Sequence, residues 1–525
     1  MSWSKYKRSF GNAMLVAICA VSLVGVPGSF ASTGVSQSAA AKSLTVEDIG
    51  LSWSSLDPVQ PGLGTLLSPL FSPTYDWLFA YNAKNKTIPG LATSWSWNKT
   101  RNVFTINLRR GVHFQDGTAF NASAALFNLQ RMASLTNNSE CAPYFTQVSN
   151  IAATGPYQVQ LTFTTPYAAI TSVLGGLPCA VMASPAAIQT GGNTNKALST
   201  TMVGTGPYKF SSEVLNSSIT YTYWSGSWER SRTHYSSITI NASANDQSAI
   251  DTLETGGAQV VIGANVQDAA IVRPDKSLVS VFDPATAYAN IRLEISHPSS
   301  PFSNVIAREV LATGINTAAI TKGLYLNKAI PTQTYETPNC FCFRGYKVPG
   351  YPAYNPTLAA QLVQQLPGGK LSFTMNEENI PAWVNLGDVI QAQLQSIPGV
   401  TVTLNPVAET ALLAAFHAKS YVAGLTQSPT IPDPDINYYK NFYSQSNNNQ
   451  TGISDPALDS LLIEARQTVS GAQRTVLYLQ AQKLLVKLLP QIPLFDQPVV
   501  VISTKKLKHF NMLANSGYSF LGSSL

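Results

Sequence analysis

An α/β protein of more than one domain is what the sequence predicts, and three observations carry the prediction. The chain has 525 residues, more than one compact core accommodates. Strand-like and helix-like apolar spacings alternate through its second half, the pattern of strands layered with helices. Residues 89–132 run from a period-two segment through two turns into an amphipathic helical run.

The elements follow in chain order. Lys5, Lys7 and Arg8 precede an apolar stretch at 13–26, and Ser29-Phe30-Ala31 places small residues at a cleavage site, so residues 1–31 read as a signal peptide. The apolar stretch falls short of the about 20 residues that a membrane span needs. Ile18 before Cys19 is too bulky for a lipid-attachment motif. Residues 44–49 read as a first strand, followed by Leu51-Ser52-Trp53 and Leu56-Asp57-Pro58. Phe104, Ile106 and Leu108 alternate with polar residues as in a half-buried strand, behind an entry rich in tryptophan at Trp95 and Trp97. Gly111 and Asp116-Gly117 supply turns, and Asn121 caps a helix whose Ala125, Leu126 and Leu129 share a face.

Further on, Val203-Gly204-Thr205-Gly206-Pro207 is a turn feeding an alternating strand, and 238–240 is another strand. Leu358, Leu362 and Leu366 line a helix opened by Asn355-Pro356. A strand at 371–375, a helix with Ile390, Leu394 and Ile397, and a strand at 400–404 follow. Asp455-Pro456 is an N-cap with proline at the first helical position. Leu477, Ala481, Leu484, Leu485 and Leu488 make a last helix, which Pro490 ends.

Composition narrows the function classes. Net charge is +6, falling to +3 without the three leader cations, and no basic run appears; nucleic acid is not an expected partner. Charged residues make up only 11% of the chain, against the usual quarter. A chain with few carboxylates gains little charge on acidification, which fits an acidic external medium as a hypothesis; marked loss of stability at mildly acid pH would sink it. Past Cys19 the cysteines are Cys141, Cys179, Cys340 and Cys342, an even number that favours disulfides in an exported protein. Three pairings are possible, with Cys141–Cys179 and a tight Cys340–Cys342 ring preferred. A metal at Cys340 and Cys342 finds no further Cys or His pair nearby, so no metal site is expected.

Nucleophile elbows, zinc-protease motifs and phosphate-binding glycine loops are absent from the sequence, and the five histidines are dispersed. Each of them, His417 included, reads as a surface or packing residue rather than a ligand. No catalytic residue and no cofactor are expected.

The segment Pro89-Gly-Leu-Ala-Thr-Ser-Trp95, the strand at 104–108, Leu108-Arg-Arg-Gly111-Val-His-Phe-Gln-Asp-Gly117 and the capped helix resemble the signature region of the extracellular solute-binding proteins of ABC transporters, family 5. Leu56-Asp57-Pro58, Tyr75-Asp76-Trp77-Leu78 (on a helix in relatives), Gly204-Thr-Gly-Pro-Tyr208 and Ile492-Pro493-Leu494 match the same family; residues 249–257, 258–262 and 288–293 resemble its helix, the strand after it and a strand that crosses into the second lobe, and the matches span about residues 44–510. The resemblance implies a two-lobed α/β periplasmic-binding-protein fold of the large type. Lobe I would comprise 44–283 and 490–525, with an additional subdomain at about 76–199; lobe II would comprise 284–489.

It also implies a non-enzymatic role: capture of a small solute, peptide by family frequency, between hinged lobes, and its presentation to an ABC permease with its ATPase. The protein would be exported, periplasmic or extracellular and associated with the cell envelope, and a monomer. Ligand-facing candidates are Ser52, Trp53, Ser54, Tyr75 and Tyr288, with core packing the competing reading for Trp53 and Tyr75. Peptide-binding relatives carry Trp-x-x-Asp-Tyr-x-Asp-Pro, whose first Asp takes the peptide ammonium. Anchored on Asp433-Pro434, the Trp becomes Gln427 and that Asp becomes Thr430, so Gln427 and Thr430 complete the candidate set. A buried ammonium without a carboxylate is costly. Either another acid serves, Glu377 and Glu378 being candidates, or the ligand is an oligosaccharide or other neutral solute. A sensing module without transport is the remaining alternative.

Overall fold

Residues 42–59, 68–82, 86–134, 141–194, 196–272, 275–429, 432–512 and 518–525 are described by the structure, a computed structural model. The leader, with Cys19, lies outside them. The period-two segment is the strand Val103–Leu108, with Phe104, Ile106 and Leu108 buried and the alternate positions half-buried. Successive strand side chains point to opposite faces, so one packed face demands this alternation. The strand lies between Ala92–Trp97 and Gln158–Phe163, and Val148–Gly155 completes a four-stranded antiparallel sheet. Trp97 sits on Phe104 and Phe163 at 4.9 and 5.2 Å between ring centroids, so the tryptophan-rich entry is itself an edge strand. Gly111 and Gly117 take φ of 74° and 89°, a region that favours glycine. The Asn121 side chain accepts the Ala124 N–H at 3.0 Å and starts the helix Ala122–Ala133.

A larger sheet of eleven strands runs in the order Val400–Val407, Leu371–Glu378, Ala423–Pro429, Leu278–Leu293, Gln491–Thr504, Val260–Ile262, Ser43–Ile49, Ser237–Ser243, Ser218–Tyr223 and Tyr208–Val214, with Ile330–Pro331 paired to Gln491–Thr504. Both parallel and antiparallel pairs occur in it. Leu278–Leu293 and Gln491–Thr504 are its two long strands. They pair antiparallel over most of their length, with register shifts between Asp283 and Ala287 and between Ala289 and Asn290. The sequence reading began the first of them at Tyr288; its pairing in fact starts at Leu278.

Apolar side chains gather in separate clusters. One holds Leu44, Tyr75, Phe104, Leu161, Ile238 and Val260. A second holds Ala289, Leu311, Phe373, Ile390, Leu425 and Phe495. Tyr288 belongs to a third, with Tyr335, Tyr438, Leu458 and Tyr478. Strand alternation explains the split: Ala289, Ile291 and Leu293 face one side of the sheet and Tyr288 the other.

Several local readings change. Tyr75-Asp76-Trp77-Leu78 is not helical, because the short helix Ser68–Phe71 ends before Pro73, which has no N–H to continue it. The Trp77 and Leu78 carbonyls instead accept the Leu91 and Ala92 N–H groups. Leu366 and Ile397 lie just past the helices Pro356–Val363 and Pro381–Gln395, yet both are buried. Gly204 and Gly206 take no left-handed φ. A Cβ on either would fall 2.1 and 2.7 Å from the Thr74 and Pro73 carbonyl oxygens, so these glycines serve close backbone approach. Cys141–Cys179 is bonded at 2.08 Å, and Cys340 is bonded to Cys342.

Candidate functional site

Where the two long strands pass between the apolar clusters, one sheet face is polar and buried. The register sets Asp496, Tyr288 and Ser428 side by side on three adjacent strands, and paired residues project to the same face. Tyr288 is 0% exposed, and its hydroxyl donates to Gln491 Oε1 at 3.0 Å. Asn290 Nδ2 donates to Ser428 Oγ at 3.0 Å, and Arg292 reaches the same oxygen at 3.4 Å. Helices Asp435–Phe442, Pro456–Gln467 and Gly471–Leu488 contribute to the third apolar cluster beside Tyr288.

This layer is short of partners. Asp496 is 2% exposed, and among the described residues neither carboxylate oxygen has a hydrogen-bond partner; burial pushes its pKa up to about 8. Glu336 Oε2, Asn290 Oδ1, Arg292 Nε and Gln491 Nε2 are likewise buried without partners. Burial raises the Glu336 carboxyl well above the usual range, and the nearby Asp433 and Asp496 charges add to that. Native interiors leave few such groups, so their concentration on one face marks a place shaped for something other than stability.

Two neighbouring acids have arginine partners, although Asp435 Oδ1 is, among the described residues, without a partner. Asp433 takes both terminal nitrogens of Arg474 at 2.6 and 2.7 Å, and Asp435 accepts from Arg466 at 3.2 Å. Arg466 extends further: its guanidinium stacks 3.5 Å over Tyr439 and 4.6 Å over Tyr167, and its carbonyl accepts the Ala168 N–H at 2.9 Å. Tyr167 belongs to the first apolar cluster, as does Ile436 beside Asp435. Arg466 therefore joins two parts of the molecule whose apolar cores are distinct.

The candidate residues separate into groups. Tyr288 and Gln427 lie on adjacent strands, but Gln427 pairs with Ala289 and so projects to the opposite face. Thr430 lies outside the described residues. Trp53 is 3% exposed, with its backbone N–H on Asn216 Oδ1 at 2.7 Å and its indole N–H on Glu213. Ser52 and Ser54 are exposed on either side of it. Tyr75 is 1% exposed, packed on Phe71, with the Gly204 backbone over its ring. Trp53 and Tyr75 thus sit in the first apolar cluster and Tyr288 in the third. Glu377 is buried against Gly387, with both oxygens unpartnered among the described residues, on the strand Leu371–Glu378. His417 bonds the Leu413 carbonyl through Nδ1 at 2.8 Å, as a helix-end residue does.

The sequence reading missed Asp496, Glu336 and Arg466. Asp496 lies two residues past the matched Ile492-Pro493-Leu494, and an acid inside an apolar strand was the available signal. Glu336 and Arg466 had none, since only the fold brings them to this layer. Also missed was Arg131, which Asp57 holds with both oxygens at 2.7 and 2.8 Å.

A family model described as bacterial extracellular solute-binding proteins, family 5 Middle, matches residues 86–450. The glutathione-binding protein GsiB of Shigella dysenteriae serotype 1 is 26% identical over 493 residues, 92% of this chain and 94% of the relative. Among solved structures, the periplasmic binding protein DppA from Helicobacter pylori, in complex with peptide STSA, superposes with a TM-score of 0.80 at 22% identity, covering 92% of this chain and 98% of that one. A dipeptide-binding protein from Pseudoalteromonas sp. SM9913, in complex with Met-Leu, gives 0.82 at 18% identity, covering 92% and 100%. The fold is the two-lobed one of periplasmic binding proteins. With a family match over most of its length, the chain belongs to the bacterial extracellular solute-binding proteins, family 5.

Proposed function

We propose that this solute-binding protein captures a small solute between two hinged lobes and presents it, in the closed form, to an ABC permease driven by its ATPase. The observation that carries this reading is the under-partnered polar layer on the long strands around Asp496, Tyr288 and Ser428. Closure buries a ligand and lines up a few polar groups around it. Differential affinity for the closed state then turns binding into a signal. Lobe I is assigned to 44–283 with the C-terminal residues, and lobe II to the intervening chain. Ile492, Leu494 and Phe495 still pack in the second cluster, which favours a return crossing near Gln497 over one at 490.

Peptide is the leading ligand class: the relatives named above are a glutathione-binding protein and two structures holding peptides. Tyr288 and Thr430 are the residues assigned to ligand contact; Gln427, on the other face of the sheet, is a weaker assignment. Ser52, Ser54, Trp53 and Tyr75 are also weaker assignments, the last two because of their core packing. Thr430 in place of the amine-binding acid favours a second reading, an oligosaccharide or other neutral solute. Mass spectrometry of small molecules released from the purified protein tests both. A released peptide supports the first reading, and a released neutral sugar the second. Turnover of peptide or glycan by the pure protein would contradict a binding role altogether. The localisation assigned is the cell envelope, as an exported protein; among the described residues no helix is long and apolar enough to cross a membrane.

A further inference from the structure

We propose that Glu336, Cys340 and Cys342 form a redox-gated site for a thiophilic divalent cation such as Zn2+, closed while the two cysteines are bonded and opened by their reduction. The proposal is independent of which solute the protein carries. The sequence alone set aside a metal at Cys340 and Cys342 because no third ligand was in view. The fold supplies one. A Glu336 carboxylate oxygen and the two sulfurs lie within 4.8 Å of one another, and all three residues are buried.

Two further observations point to a ligand. Among the described residues Glu336 Oε2 has no hydrogen-bond partner, while Oε1 accepts from the Asn437 amide at 3.4 Å. A buried carboxylate oxygen without a donor is costly, and a cation answers that deficit directly. The Cys342 N–H also points at Cys340 Sγ, 3.1 Å away, an orientation that supports a thiolate and fixes the sulfur as outer-shell contacts do. Two sulfurs, one carboxylate oxygen and a water satisfy the four-coordinate preference of zinc.

The redox step balances. A phosphine reductant with one water converts the disulfide into two thiols and leaves as its oxide; a thiol reductant leaves as its own disulfide. The cation then replaces the two sulfhydryl protons, which pass to solvent. Access is from the surface, since Phe341 between the cysteines and nearby Arg344 are exposed. Phe341 N–H donates to the Pro432 carbonyl at 3.1 Å. A filled site would therefore hold the chain at Pro432, shortly past the end of the strand Ala423–Pro429.

The test is zinc titration of the full protein, with a chromogenic chelator in competition, before and after treatment with tris(2-carboxyethyl)phosphine. The Cys340→Ser/Cys342→Ser variant, treated identically, subtracts every other thiol and surface site. The proposal expects one additional Zn2+ per reduced wild-type chain, none for the oxidised chain, and at least tenfold weaker binding in Glu336→Gln, recovered in part by Glu336→Asp. Circular dichroism of each variant guards against misfolding. It is overturned if the bond resists reduction in the folded protein, or if reduced wild type takes up no more zinc than the double serine variant. Glu336→Gln binding as tightly as wild type overturns it equally.

Discussion

Asp57, in the first apolar cluster, gives both oxygens to Arg131 and accepts the Leu198 N–H as well. Asp496, on a long strand, offers neither oxygen to any donor among the described residues. Both are buried, so solvent does not explain the contrast. The first acid ties the segment after the opening strand to the helix Ala122–Ala133, and everything it needs is present. The second sits on the face where the strands pass between clusters, beside Tyr288, and burial alone sets its proton affinity. Buried polar groups answered in full hold a structure in one arrangement; groups left unanswered are a cost retained for another purpose. The comparison separates scaffold from candidate site without reference to any ligand.

The largest effect expected is from breaking the satisfied pair. Arg131→Ala leaves Asp57 buried and unpaired and should cost about 3–5 kcal/mol of unfolding free energy in urea titrations. A loss below about 1 kcal/mol would show that Asp57 is not held as described. The two disulfides sharpen the contrast next. Cys141–Cys179 spans 38 residues, so replacing both by serine should cost about 2–4 kcal/mol. Cys340–Cys342 closes over a single residue and constrains the unfolded chain little; its loss should cost well under that.

Asp496 breaks the comparison from the other side. Its folded pKa is about 8, well above the ordinary carboxylate value, so the folded state holds a proton that the unfolded chain has lost. That contribution is complete below about pH 4 and disappears as pH rises through about 8. Asp48, raised by burial to about 7, acts with the same sign. Unliganded protein should therefore become less stable from pH 5 to pH 8, by up to roughly 1.4 kcal/mol per pH unit for each such group. Asp496→Asn should flatten the slope in thermal melts across that range. An unchanged slope would show that Asp496 does not hold the proton. This direction agrees with the low carboxylate content, which also favours an acidic medium. Smallest is Tyr167→Phe, which removes only the hydroxyl bonded to Arg466 at 3.3 Å. It should cost about 0.5–1.5 kcal/mol, read as up to a tenfold loss of solute affinity if that contact belongs to the closed form.

Local pattern made much of the scaffold legible. Alternation at 104–108, the Asn121 cap, the Asp455-Pro456 helix start and the stop at Pro490 each rest on neighbours in sequence, and each forms as read. Residues 75–78 do not follow, because backbone bonds to Leu91 and Ala92 override the local tendency. The candidate site was legible only in part. The sequence singles out Tyr288 and Gln427, but which face each takes depends on strand pairing. Asp496, Glu336 and Arg466 become neighbours of this layer through long-range packing, which no spacing rule encodes.

The central claim is capture of a solute by closure around the long strands. Its most direct test is small-angle X-ray scattering on protein stripped by unfolding and refolding, before and after return of the small-molecule fraction released from it. The account predicts a smaller radius of gyration on return, with saturation at one solute per chain. Saturable binding with no change in radius would contradict closure as the mode of capture.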